Sequence, residues 1–259
     1  MIKVALVAQK GGDCKTTTAH ALGAGLIKYH GKKVLYVDMD AQGNLSRTLE
    51  ADQGGDAPNV LDLLIGEAEA QDAIQHTGGG DVIAASPALA GADREEALSN
   101  VGREYRLRKA LEAVSGSYDY CVIDTPPALG ILTVNALTAA DLVVIPAQAD
   151  DYSLDAVERL SATIETVKQY CNPALKISGI LLTRYNGRPN VTSYMDELIT
   201  EVADRIGARV YQTRIRECAY IREAKTLRLD IFTHAPRCNA ANDYRSFVEE
   251  FIKGGKKHG

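Results

Sequence analysis

Near its N-terminus the chain reads AQKGGDCKTTTAHALGAGL, residues 8–26, in which Lys10, two glycines and Lys15 lead into Thr16 and Thr17. This is a pattern for holding phosphate. Glycines let backbone N–H groups turn toward an anion, a lysine at the mouth of a helix neutralises its charge, and a threonine hydroxyl there reaches a Mg²⁺ ion carried by the same phosphates. The residues expected to line such a ligand are Gly11, Gly12, Asp13, Cys14, Lys15, Thr16 and Thr17. Two of them suit a polyanion poorly. Cys14 stands directly before the second lysine, where a Cβ crowds the loop and a positive φ would cost a non-glycine residue about 1–2 kcal/mol. Asp13 adds a negative charge that opposes a phosphate a few ångströms away by roughly 1–4 kcal/mol, depending on exposure. The two lysines and the loop amides outweigh these terms, so the expectation is weakened binding or turnover at a surviving site.

A phosphate loop needs a strand before it and a helix after it, and both are legible: Ile2 to Ala8 is an apolar run and Lys15 opens a helix. Two further apolar strands end in acids. YVDMDAQGN delivers Asp38 and Asp40, and YCVIDTPPALG delivers Asp124. Strand-end aspartates are often turn formers or helix caps. Three such motifs on neighbouring strands point instead to one site beyond the carboxyl edge of a parallel sheet, where open α/β sheets bind ligands.

Strand-like runs begin at Ile2, Lys33, Asp81, Asp119, Asp141, Lys176 and Arg209, with amphipathic segments between them. From Ser153 to Tyr170, Leu154, Val157, Leu160, Ile164 and Val167 recur at helical spacing, which reads as core. The fold class expected is α/β: a single-domain, doubly wound, mostly parallel sheet with helices on both faces. One nucleotide-binding domain is expected over 1–254, closing with a helix from Asn239 to Lys253, and 255–259 is expected to be a flexible tail.

At 259 residues, 46% hydrophobic and 24% charged, the chain has the composition of a globular domain. No apolar run approaches the length of a membrane span and the start is not a signal peptide, so a cytoplasmic location is expected. Cys14, Cys121, Cys171, Cys218 and Cys238 are far apart with no C-x-x-C pair and read as free thiols. The net charge of −5 is unevenly spread. Between Asp38 and Glu104 the only bases are Arg47, Arg94 and Arg103, whereas Lys176 to Arg228 holds nine arginines and lysines besides Lys176 against six acids. A basic face on an acidic protein is one reading, and a solvated helix surface with intrahelical ion pairs is the other.

Taken together, K-G-G-x-x-K-T-T, D-x-D-x-Q-G-N, D-T-P-P and VVIPAQADDYSL resemble the deviant Walker ATPases of the ParA/Soj partition family, in the wider group with MinD. GILLTRYNGRPN and YQTRIRECAYIREAKTL extend the resemblance over nearly the whole chain, while Ala41 replaces the family's usual proline. The resemblance implies ATP and Mg²⁺ as cofactors and an ATP-dependent homodimer. It implies that Lys10 reaches the partner's phosphates, that Lys15 serves its own, and that Gly12 permits close approach of the two loops. Asp40 would polarise the attacking water, and Thr16, Asp40 and Asp124 would hold the metal shell. It further implies DNA binding without sequence preference through Arg188, Arg216 and Arg222, a ParB-like partner, association with the nucleoid, and segregation of a plasmid, chromosome or mobile element. A MinD-like membrane-recruited ATPase is the alternative; it would need Phe247, Val248, Phe251 and Ile252 to face lipid, although Glu249 and Glu250 interrupt them. An electron-transfer ATPase with cluster-ligating cysteines is a third, and Cys121 in mid-strand reads against it.

Overall fold

A computed structural model of the protein describes residues 1–10, 12, 14–55, 57–94, 101–148, 151–185 and 189–255. Gly11, Asp13 and Arg188 lie outside the described residues. The chain runs β1 (Ile2–Leu6), α1 (Lys15–His30), β2 (Val34–Asp38), α2 (Asn44–Thr48), α3 (Val60–Ile65), α4 (Ala70–Ala73), β3 (Ile74–Thr77) and β4 (Gly80–Ile83). It continues α5 (Arg106–Glu112), β5 (Tyr120–Asp124), α6 (Ile131–Ala139), β6 (Leu142–Gln148), α7 (Asp151–Tyr170) and β7 (Lys176–Tyr185). The last part is α8 (Pro189–Arg205), β8 (Val210–Arg216), α9 (Ala219–Thr226), α10 (Ile231–His234) and α11 (Asn239–Gly255).

The strands form one sheet in the order β3-β4-β2-β5-β1-β6-β7-β8, parallel except for β3 against β4. β1 is central, with β5 on one side and β6 on the other, so the loops leaving β1 and β5 diverge around a common crevice. Alternate residues of the central strands go to opposite faces. Val4, Leu6, Tyr36 and Val122 pack under α1 and α11 with Leu22, Phe247 and Val248. Leu35, Val37, Cys121 and Ile123 meet α3, α5 and α6, while Ala5, Val143 and Ile180 meet α7 and α8. Residues buried on both faces are what a covered parallel sheet requires.

The doubly wound sheet expected from the sequence is therefore the observed one, and Val157, Leu160, Ile164 and Val167 of α7 are core residues. Leu154 carries no described side chain. β3 was not expected. Its sequence, IQHT, has no apolar run, and it is held by a hairpin across Gly78 and Gly79 in which Thr77 pairs Gly80 and the Thr77 hydroxyl donates to the Gly80 carbonyl at 2.7 Å. α11 also runs on to Gly255, two residues past the expected end.

α1 carries the phosphate loop, and its seat on β2 depends on Gly23. An added Cβ there would lie 2.3 Å from the Tyr36 hydroxyl oxygen, whose proton goes to the His20 carbonyl at 3.2 Å. Gly23→Ala should lower the melting temperature even though alanine is the better helix former, because overpacking costs about 1–3 kcal/mol against a propensity gain of about 1 kcal/mol. A melting temperature equal to or above the parent's would show that α1 is free to shift on the sheet.

Candidate nucleotide site

The end of β1 turns into the loop through Lys10, Gly12 at φ 96° and Cys14 at φ 59°. Cys14 therefore occupies the left-handed region that its type disfavours, at the N-terminus of α1, where it makes no side-chain cap. Its carbonyl accepts from the Thr18 amide at 2.7 Å and starts the helix. β6 braces the loop from the side: the Gln148 amide donates to the Gly12 carbonyl at 3.2 Å. Gln148 was given no role from the sequence, although a polar residue at the end of a central parallel strand is placed for one.

Strand register brings the acids together. Asp38 on β2 pairs in register with Asp124 on β5, and Asp124 with Leu6 on β1. Both carboxylates are fully buried. Asp38 is committed to structure: one oxygen accepts from the Ser46 amide at 2.8 Å and hydroxyl at 2.7 Å, the other from the Asp40 amide at 3.2 Å. Burial, then the neighbouring Asp124, push its pKa up to about 7 despite these donors. Asp124 is different. Neither of its oxygens receives a hydrogen bond of good geometry, and its charge is faced by the Lys15 ammonium at 3.5 Å. Burial raises its pKa first of all, and Asp40 adds to the rise, while Lys15 and the nearby Thr16 hydroxyl oppose it.

Asp40 stands above this pair, nearly buried, with one carboxylate oxygen held by the Gln42 amide at 3.0 Å. Its carbonyl accepts from Gly43 at 2.7 Å, which turns the chain into α2. Lys10, Gly12, Cys14, Lys15, Thr16, Thr17 and Asp40 all line one open cleft of about 480 Å³. Asp124 lies beneath it, in contact through Lys15. Among the described residues, the loop, Thr16 and the two acids thus converge as the sequence predicts.

The opposite wall of the cleft comes from the basic C-terminal third. Arg184, Arg216, Glu217, Ile221, Arg222 and Lys225 line it. Arg184, the penultimate residue of β7, stands at φ 51° and is paired with Glu217 at 3.2 Å. Arg216, the last residue of β8, is clamped by Asp243 of α11: Nε donates at 2.9 Å, Nη2 at 2.6 Å and the backbone amide at 3.0 Å. Arg216 and Arg222, expected from the sequence as DNA contacts, therefore share a cleft with the phosphate loop. Sequence gave no sign of this, because β8 reaches the loop only through the sheet order. A cleft with six cationic side chains, Lys10, Lys15, Arg184, Arg216, Arg222 and Lys225, against Asp40 and Glu217 suits a polyanion.

Because Cys14 holds a positive φ, Cys14→Gly removes a Cβ from a costly conformation. The variant should melt higher and bind a fluorescent ATP analogue a few-fold more tightly. Equal or weaker affinity would mean that the loop has adapted to the thiol.

Comparison with known proteins gives this arrangement its relatives. An AAA domain family matches residues 1–177. The sporulation initiation inhibitor protein Soj of Bacillus subtilis is 40% identical over 254 residues, covering 97% of this chain and 98% of its own. The chromosome partitioning protein ParA of Caulobacter vibrioides is 38% identical over 253 residues, covering 96% of this chain and 93% of its own. Among solved structures, a cobyrinic acid a,c-diamide synthase from Mycobacterium smegmatis with bound ADP and magnesium has a TM-score of 0.84 and 33% identity, covering 100% of this chain and 97% of its own.

Proposed function

The chain belongs to the Soj/ParA family of P-loop ATPases, and we propose that it hydrolyses ATP with Mg²⁺ to partition DNA, as an ATP-dependent dimer that holds duplex DNA without sequence preference. The observation that carries the reading is the buried Asp124 carboxylate, with no hydrogen-bond partner and Lys15 at 3.5 Å, beneath a cleft lined by the phosphate loop. A carboxylate kept dry and unsatisfied is costly unless a cation completes it. Thr16, Asp40 and Asp124 fit that cation as hydroxyl and carboxylate oxygens, the donor set that Mg²⁺ takes together with phosphate. When bound, the metal would offset charge on the β- and γ-phosphates.

The chain's own groups do the rest. Lys15 and the amides at the start of α1 hold the phosphate chain. Lys10, at the mouth of the cleft, reaches the phosphates of a second subunit, and Gly12, which has no side chain, permits the approach. Asp40, fixed by the Gln42 amide, orients the attacking water. Phosphoryl transfer asks of a protein chiefly such positioning and charge.

For DNA, Arg216 and Arg222 stand on the wall shared with the nucleotide, and Arg188 is carried over from the sequence alone. A DNA contact beside the nucleotide gives a physical reason for binding to follow the nucleotide state. A ParB-like stimulating partner and nucleoid association complete the proposal. The membrane alternative is disfavoured by α11, whose Phe247, Val248 and Phe251 are buried in the core and so are not offered to lipid. Among the described residues no helix is long and apolar enough to cross a membrane.

Two experiments test this. Lys15→Ala should abolish nucleotide binding and also lower the melting temperature, since it leaves Asp124 buried without a counter-charge, a loss of about 3–5 kcal/mol for such pairs. Asp40→Ala should bind ATP and fail to hydrolyse it; turnover at the parent rate would remove Asp40 from the mechanism. In the second, binding to unrelated duplexes should require ATP, fall steeply with salt, and weaken alike for all sequences in Arg222→Ala, with a salt slope lower by about one. Binding to anionic vesicles and not to duplex DNA would reject partition in favour of membrane positioning.

A further inference from the structure

α9 lies across the cleft from the first turn of α1 and is attached to the core by Ala224, which is buried, and Ile221, which is partly so. The next residue along that edge is Lys225. It lines the main cleft with Lys15 and Thr16, and it also lines a second, small cavity of about 40 Å³ whose walls include Thr16, Thr17 and His20. Arg222, one turn earlier, lines the main cleft but not this small cavity. Lys225 is thus the basic residue of α9 placed toward the start of α1.

Arg184 is paired with Glu217 and Arg216 with Asp243, but among the described residues no carboxylate pairs with Lys225. His20 adds neither a charge nor a counter-charge to the small cavity, because burial lowers its pKa to about 4. Lys225 therefore adds its charge to that of Lys15, which Asp124 faces at 3.5 Å, and to the positive end of the α1 dipole, a combination that favours an anion in the space between.

We propose that Lys225 is a further phosphate-contacting residue of this ATPase, reaching the nucleotide's phosphate chain from α9 on the side opposite the phosphate loop and within the same subunit. The inference rests on the nucleotide reading of the cleft. It gives α9 two edges with different tasks: Lys225 faces the nucleotide and Arg222, at the rim, faces DNA. Nucleotide entry would draw α9 toward α1 and carry Arg222 with it.

The test is equilibrium titration of a fluorescent ATP analogue with Mg²⁺ and without DNA, for the parent, Lys225→Ala and Lys225→Arg, at two or more KCl concentrations. Lys225 is exposed, so both variants should melt as the parent does in the absence of nucleotide. Lys225→Ala should bind about tenfold more weakly, as expected for one lost charge-assisted contact. Its affinity should also depend less steeply on salt, and Lys225→Arg should restore most of the loss. Parental affinity in Lys225→Ala overturns the proposal, and if its DNA binding alone is weakened, Lys225 belongs with Arg222 on the DNA side. Failure of the parent itself to bind the analogue would overturn the nucleotide reading and this inference with it.

Discussion

The site is organised by one costly interaction: a carboxylate at the end of a central strand, fully buried, whose charge is faced by a single lysine. Asp124 ends β5 because the strand is apolar up to that point and the chain must then turn outward through Thr125, whose hydroxyl is tied to the Leu6 carbonyl at 2.9 Å. Parallel pairing in register sets it beside Asp38 on one strand and the start of the phosphate loop on the other. Two acids at that spacing do not both keep their charge easily. The chain resolves this by giving Asp38 three donors and leaving Asp124 with Lys15. One acid becomes structural and the other remains available.

What surrounds the pair follows from holding it in place. α1 must bring Lys15 down onto the sheet, which requires Gly23 to let Tyr36 rise against the helix, and the Thr18 hydroxyl meets Tyr244 of α11 at 3.2 Å. The next residue back, Asp243, clamps Arg216. The C-terminal helix thus touches both the phosphate-loop helix and the basic wall of the cleft. Its apolar face is spent on that packing.

Much of this was legible in the sequence because the signals are local. A strand, glycines and Lys15-Thr16-Thr17 define a phosphate loop within the sixteen residues from Ile2 to Thr17, and acids after apolar runs mark strand ends. The commitment of Asp38 to structure was not legible, since it depends on Ser46 folding back over it. β3 was missed because a polar edge strand lacks the apolar pattern of a covered one. The placement of Arg216, Arg222 and Lys225 on the nucleotide cleft was also hidden. It depends on the order of β6, β7 and β8 in the sheet, which periodicity does not encode.

The central claim is that Asp124 is kept buried and without a hydrogen-bond partner for a metal that arrives with nucleotide. The direct measurement is the affinity of a fluorescent ATP analogue in Mg²⁺ and in EDTA, for the parent and for Asp124→Asn. The account predicts that Mg²⁺ tightens binding to the parent, whereas Asp124→Asn binds the analogue with an affinity that Mg²⁺ does not improve. A variant that keeps the parent's full gain from Mg²⁺ would contradict it.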